Sequence, residues 1–251
     1  MIVSIHQPHF LPWLGYFDRM RQSDLFVLLD HVQFERQNYQ NRVQIKTSQG
    51  LHWLVVPVQQ RSRSETILDK LVVNQGSGRH HWAHRVYASI EHSYRGAPGF
   101  AAASVELREL LLRPWSRLVD LDLALIDWLR AALDIRTPMV RSSELGVTGK
   151  KAELVLAICQ ATGASVFLGG LGASRHYVEP EPFHRAGIDI AWQRFVHPRY
   201  PQRPAPGRFV EGVSALDLVF NAGPDAARIL RESSASQRAL VSAPVLTAAP
   251  P

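Results

Sequence analysis

Ile2-Val3-Ser4-Ile5-His6-Gln7-Pro8-His9-Phe10-Leu11-Pro12-Trp13-Leu14-Gly15-Tyr16 opens the chain, and its reading decides the fold. Ile2, Val3 and Ile5 make a short apolar, β-branched run that suits a buried strand. The run stops abruptly at His6-Gln7-Pro8-His9, and a helix is predicted over 12–22. Two prolines and a glycine fix the backbone between them. Polar groups at the carboxyl end of a first strand, beside a helix start, lie where open α/β sheets bind ligands. The stretch therefore reads as strand, site and helix in succession.

Working outward, Asp24-Leu25-Phe26-Val27-Leu28-Leu29 is a second strand that ends at Asp30-His31-Val32-Gln33. A strand, a helix and a strand in this order fit a parallel, doubly wound sheet. Residues 43–46 and 53–58 flank Ser48-Gln49-Gly50 and read as a β-hairpin. Thr66 to Val73 is predicted as another strand. From His80 to Leu133 the period becomes helical, with Trp82, Val86, Ile90 and Tyr94 spaced by four. Further on come a helix over 150–162 capped by Thr148, a strand 165–168 running into Gly169-Gly170, and a last strand over 188–192. Ser214 is placed to cap a helix from Ala215 to Asn221. The fold class expected is α/β, Rossmann-like. A mainly parallel sheet would carry a β-hairpin excursion and a helical insertion around 79–135. A single domain is expected over 1–232, and the Ala-, Ser- and Pro-rich residues 233–251 read as a disordered tail.

The composition bounds function loosely. The chain has 251 residues and is 46% hydrophobic, enough for one large globular core. No apolar run reaches the roughly 18–20 residues that span a bilayer. No basic segment leads into an apolar one at the N-terminus, so a cytoplasmic protein is expected. Cys159 stands alone in an apolar helical pattern, which suits packing better than nucleophilic chemistry. The net charge of +6 comes mostly from scattered arginines. That balance favours anionic small molecules and, with no recognised motif, argues against nucleic acid.

The candidate chemistry follows the strand ends. His6-Gln7-Pro8-His9, Asp30-His31-Val32-Gln33, Ser142 to Lys151 and Gly169 to Tyr177 each come just after a predicted strand. In a parallel sheet these would meet in one cleft. His6 titrates near neutral pH and is a candidate acid/base group; Asp30 is a candidate base or orienting group. His9, His31 and Gln33 would line the same edge. Thr148-Gly149-Lys150-Lys151 opens a helix, where backbone N–H groups and lysine charge favour an anion. It lacks the spacing of a P-loop. Gly169 and Gly170 allow a ligand close to the backbone, with Tyr177 just downstream. Asn41 and Arg42 precede the hairpin, and arginine can clamp a carboxylate or phosphate through two bonds. His197 and Tyr200 occupy a proline-bounded loop able to cover the cleft. The His6, His9, Asp30 and His31 spacings match no metal-ligand pattern, so no metal is expected. The residues leave any cofactor and the oligomeric state open.

Taken in order, these motifs resemble the WbqC-like family. The resemblance rests on Ile5 to Phe17, Asp30 to Phe34, Asn41 to Thr47 and His52 to Val58. It also rests on Gly149 to Leu154, Gly169 to Ala173 with Tyr177, His197 to Gln202 and Ser214 to Asn221, so it spans about 1–225. The family implies a bacterial protein of cell-surface polysaccharide or specialised-metabolite biosynthesis. It also implies a transferase of a sugar, acyl or aminoacyl group on a phosphate-bearing or nucleotide-activated substrate. Alternatives are a non-catalytic nucleotide-ligand-binding protein or an RNA-binding protein. His9 stands where the family pattern carries an amide-like polar residue. The opening is also similar to the His-x-Gly-His loop of nucleotidyltransferases, with Tyr16, a further candidate ligand contact, in place of the second histidine.

Overall fold

The computed structural model describes residues 1–62, 64–170, 172–204 and 207–241. The chain runs through β1 (Ile2–His6), α1 (Leu14–Arg21), β2 (Leu25–Leu28), the pair β3 (Arg42–Thr47) and β4 (Gly50–Val55), and three helices. These are α2 (Trp82–Tyr94), α3 (Phe100–Leu112) and α4 (Leu118–Ala132). Then follow β5 (Met139–Arg141), α5 (Lys151–Ala161), β6 (Val166–Gly169), α6 (Pro180–Arg185), β7 (Asp189–Trp192), α7 (Leu216–Ala222) and α8 (Ala226–Val241).

Five strands form one sheet in the order β5-β2-β1-β6-β7, and every pairing is parallel. Counted along the chain, that is 3-2-1-4-5, the order of a doubly wound dinucleotide-type sheet. β3 and β4 form a separate antiparallel hairpin, with Gln44 opposite Trp53. The mainly parallel α/β fold with a hairpin excursion is therefore as the sequence implied.

Alternation along the strands sorts side chains to two cores. Val3, Ile5 and Val27 face Leu154, Ile158 and Phe183 of α5 and α6. Phe26 and Leu28 face the larger core, which takes in Phe17 and Met20 of α1, the hairpin, α2 to α4, and Leu216 and Phe220 of α7. Trp82, Val86, Ile90 and Tyr94 form the buried stripe of α2, as their spacing predicts. Cys159 is buried among the α5 apolar residues, and burial pushes its thiol up to about 12. Ser4 lies between the two cores, with its hydroxyl 2.5 Å from Ser23 Oγ and 3.2 Å from Leu168 O.

Three local expectations change. Residues 66–73 make isolated bridges from Thr66 to Gln33 and from Val72 to Val58, because the turn closed by Lys70 N–H on Ile67 O breaks the extension. At α5, Thr148 is not the cap; Lys150 occupies the N-cap position and its side chain makes no capping bond. α8 carries the chain beyond Ser233 to Val241, and residues 242–251 of the expected tail lie outside the described residues. Among the described residues no helix is long and apolar enough to cross a membrane.

Candidate functional site

The chain leaves β1 toward β2 on one side of the sheet and returns to β6 on the other, so the strand order reverses between β1 and β6. A crevice opens outside the carboxyl ends of strands at such a switch point. Here it is a cavity of about 290 Å³. His6 and Gln7 line it from the end of β1, Gly15, Tyr16 and Arg19 from α1, Gly170 and Gly172 from the segment after β6, and Gln193 from the end of β7; Trp13 and Tyr177 close the sides. A larger open groove of about 860 Å³ lies between residues 33–36 and 60–70. Its buried Lys70 and Glu65 are already matched, since Glu65 accepts from Lys70 Nζ at 2.7 Å and from Arg61 Nε at 2.9 Å. The smaller crevice holds the unmatched groups.

His6 is the last residue of β1, and its Nδ1 lies 2.9 Å from the Gln7 carbonyl oxygen. A carbonyl only accepts, so Nδ1 carries the hydrogen and Nε2 keeps its lone pair. No described residue bonds Nε2. Burial, then the Arg19 guanidinium, then His9 hold the His6 pKa well below its ordinary value. The ring is therefore a neutral base at neutral pH. His9 and Tyr16 pack against it, with ring centroids 4.5 and 4.8 Å away. Burial and Arg19 bring His9 down to about 3.

Gln7 is oriented through a chain of amides. The Glu35 N–H donates to Gln40 Oε1 at 2.9 Å, which turns Gln40 Nε2 toward Gln7 Oε1, also at 2.9 Å. Gln40 is fully buried. Because the series starts at a backbone donor, each amide has one allowed orientation, and the Gln7 NH2 group remains as a donor.

Arg19 is the cation of the crevice. It is 5% exposed, yet its guanidinium meets no hydrogen-bond acceptor or carboxylate among the described residues, and its Nε is buried and unpartnered. The adjacent Asp18 accepts from Gln22 Nε2 at 2.6 Å and from Gln193 Nε2 at 2.9 Å. Burial lowers the Arg19 pKa to about 10, against the pull of Tyr16 and Asp18, and it remains charged at neutral pH. Gly170 makes room for it, since a Cβ there would overlap Arg19 Nη1.

Of the residues picked from the sequence, the structure brings His6, Gln7, Tyr16, Gly170 and Tyr177 to the crevice. His9 lies beneath it. Gly169 packs against Trp192 at the end of β6. Asp30 is fully buried, and both its oxygens are occupied. Arg141 Nε donates at 2.7 Å, Ser142 Oγ at 3.1 Å, and Ser143 through its N–H at 3.0 Å and its Oγ at 2.9 Å. These donors hold its pKa low although burial pulls it up. His31 bonds Ser142 Oγ through Nδ1 at 2.6 Å. The stretches after β2 and β5 thus tie to each other beside the crevice. Gln33 lines the larger groove. Asn41 Nδ2 donates to Val56 O, and Arg42 donates to Gln37 O and stacks on Trp53 at 4.3 Å, so both serve the hairpin. Lys150 and Lys151 are exposed at the start of α5. His197 packs with Phe195, Tyr200 and Phe209, and Tyr200 donates to Asp217 at 2.8 Å. Among the described residues no three His, Cys, Asp or Glu groups are placed to hold a metal ion.

Sequence reading missed Arg19, Trp13, Gly15 and Gln193. Arg19 falls three residues after Tyr16, but α1 is buried on all sides from Leu14 to Met20, so no apolar stripe marked it out in the sequence. Gln193 obeys the same rule as Gln7, since each is the first residue after a strand end.

Comparison with known proteins gives kinship without chemistry. Residues 7–229 match the model of the WbqC-like protein family. A similar protein is the uncharacterized protein Rv1507c of Mycobacterium tuberculosis (strain ATCC 25618 / H37Rv), 32% identical over 231 residues, covering 91% of this chain and 97% of that one. No solved structure matches. With the matched residues running from just after β1 into α8 and covering most of the chain, the chain belongs to the WbqC-like protein family.

Proposed function

We propose that the protein is a group-transfer enzyme whose small-molecule substrate, phosphate-bearing or nucleotide-activated, sits in the crevice between β1 and β6. The transferred group is a sugar, acyl or aminoacyl unit, in keeping with the polysaccharide and specialised-metabolite setting of the family. His6 Nε2 takes the proton from the acceptor hydroxyl or amine as that atom attacks the donor. The bond from the transferred group to its phosphate or thiol carrier breaks, and the carrier leaves with the electron pair. Gln7 orients the reacting group. One observation carries the reading: the lone pair of a neutral imidazole, with its tautomer fixed by the Gln7 carbonyl, borders the switch-point cavity.

The test is a panel of nucleotide sugars, acyl-CoAs and activated aminoacyl donors, with consumption followed by mass spectrometry, then His6→Ala on the donor that turns over. Loss of a general base lowers kcat by about 10²–10⁴-fold, and the melting temperature is expected to stay close to the parent's. Turnover unchanged in His6→Ala would sink the role of His6. A ligand that stabilises the protein and is never consumed would favour the binding-protein reading instead.

A further inference from the structure

The geometry points to Arg19 as the anchor of a phosphoanion, the phosphate or diphosphate group of the crevice's ligand. The inference rests on reading the crevice as the site of a phosphate-bearing ligand and adds which residue holds that phosphate.

A buried guanidinium is normally paired, because the cost of removing its charge from water is offset only by a counter-anion and well-made hydrogen bonds. Arg19 makes no hydrogen bond or ion pair among the described residues, its Nε is buried without a partner, and Asp18 acts on it only through space. The charged and titratable groups around it do not fill the need. His6 and His9 are neutral, Tyr16 keeps its proton because burial raises its pKa, and Asp18 is engaged by Gln22 and Gln193. The fold nonetheless makes room for the guanidinium, since Gly170 leaves free the space its Nη1 takes and a side chain there would clash. Arg19 lines the cavity itself from the last turn of α1, Gly15 and Tyr16 line it from the first turn, and Gly170 and Gly172 from the segment after β6. The turn from a first strand into its helix is where doubly wound sheets receive phosphate, and arginine matches phosphate oxygens through two parallel bonds. The Gln7 NH2 group adds a donor on the same wall.

The experiment uses inorganic pyrophosphate as probe, with sodium acetate and sodium chloride at matched ionic strength as controls, read by thermal shift and calorimetric titration of the full chain. Pyrophosphate is expected to raise the melting temperature of the wild type saturably, and neither control is expected to do so. In Arg19→Met the anion-free protein is expected to melt as high as the wild type or higher, because an unpaired buried charge has gone, and pyrophosphate affinity is expected to fall by about tenfold or more. A variant that responds like the wild type would overturn the assignment, as would a wild type deaf to pyrophosphate. An equal response to acetate would overturn the phosphate class in favour of a carboxylate. If Arg19→Met does not fold, ring NMR of the wild type decides. Pyrophosphate at Arg19 offsets the charge that, with burial, depresses His6 and His9, so their titrations should move to higher pH. No movement at His6 and His9 removes the site. Turnover is not measured here, so a failed anion response and a failed role for His6 remain separate results.

Discussion

Asp122, on α4, is fully buried, and neither carboxylate oxygen has a partner. Burial drives its pKa well above the ordinary value of 3.8. The folded state therefore keeps a proton that the unfolded chain releases above about pH 4. The contribution to stability is whole below the unfolded pKa and is lost as pH rises toward the folded one. Asp122→Asn, which titrates in neither state, is expected to stabilise the protein by about 1–2 kcal/mol at pH 7. Urea melts should show the gain shrinking toward pH 4; a gain independent of pH would mean that Asp122 is not held protonated. His6 and His9 have the opposite sign. Their folded pKa values are depressed, to about 3 for His9, so their contribution is present above pH 6.5 and lost as pH falls below it. At this scale the sequence was legible where residue type and position agreed, as at His6 and Gln7. It was opaque where a partner decides the role. Asp30 looked like a base because nothing in its own neighbourhood announces Arg141 and Ser143, more than a hundred positions away.

The contact between α1 and the segment after β6 is a matter of elements. Gly170 follows β6, Arg19 projects from α1, and a methyl group on the first would collide with the second. Gly170→Ala is expected to destabilise by about 1–3 kcal/mol, as overpacking of a closed site does. In an Arg19→Met background the penalty should shrink, because an unbranched, uncharged chain can move aside. A double-mutant cycle by chemical denaturation checks this; equal penalties in both backgrounds would show that the two elements do not lock through Arg19. Element identity was largely readable, since strand and helix periods differ, and the α2 stripe fell where its spacing put it. The failures came at element ends. Residues 66–73 are β-like in composition, but a turn at Ile67–Lys70 outweighs that preference. Thr148 is a good cap by type, yet the helix starts two residues later than a Thr148 cap would place it, with Gly149 at φ 136° and Lys151 at φ 50°.

At the scale of the whole molecule, the sheet is stitched from distant parts. Ile2 pairs with Val166, and Gly169 with Trp192. A chain ending at Gly163 would retain β1, β2, β5 and all three insertion helices but lack β6 and β7. It is expected to melt without a cooperative transition in circular dichroism, because β1 would lose one of its two neighbours and the smaller core one of its walls. A sharp transition would mean that the N-terminal part folds alone. The parallel order could be anticipated from strand–helix–strand succession, but the pairing of β1 with β6 could not be read locally, since it depends on which way the chain winds after β5. The crevice shares that limit: its cation, its base and its glycines come from three separate elements.

The position of β1 between β2 and β6 also has a consequence for biosynthesis. The ribosome releases β1 first, and β2 soon after, but the strand for its other edge is made some 160 residues later. At roughly 5–20 residues per second, that edge stays open on the order of ten seconds or more. An open, wholly apolar edge is a template for pairing with other nascent chains. Ser4, in the middle of β1, interrupts the apolar run during that wait and afterwards binds Leu168 of the arriving strand. Of the five strands of the sheet, β1 is made before the others, and its second edge is covered only when β6 arrives.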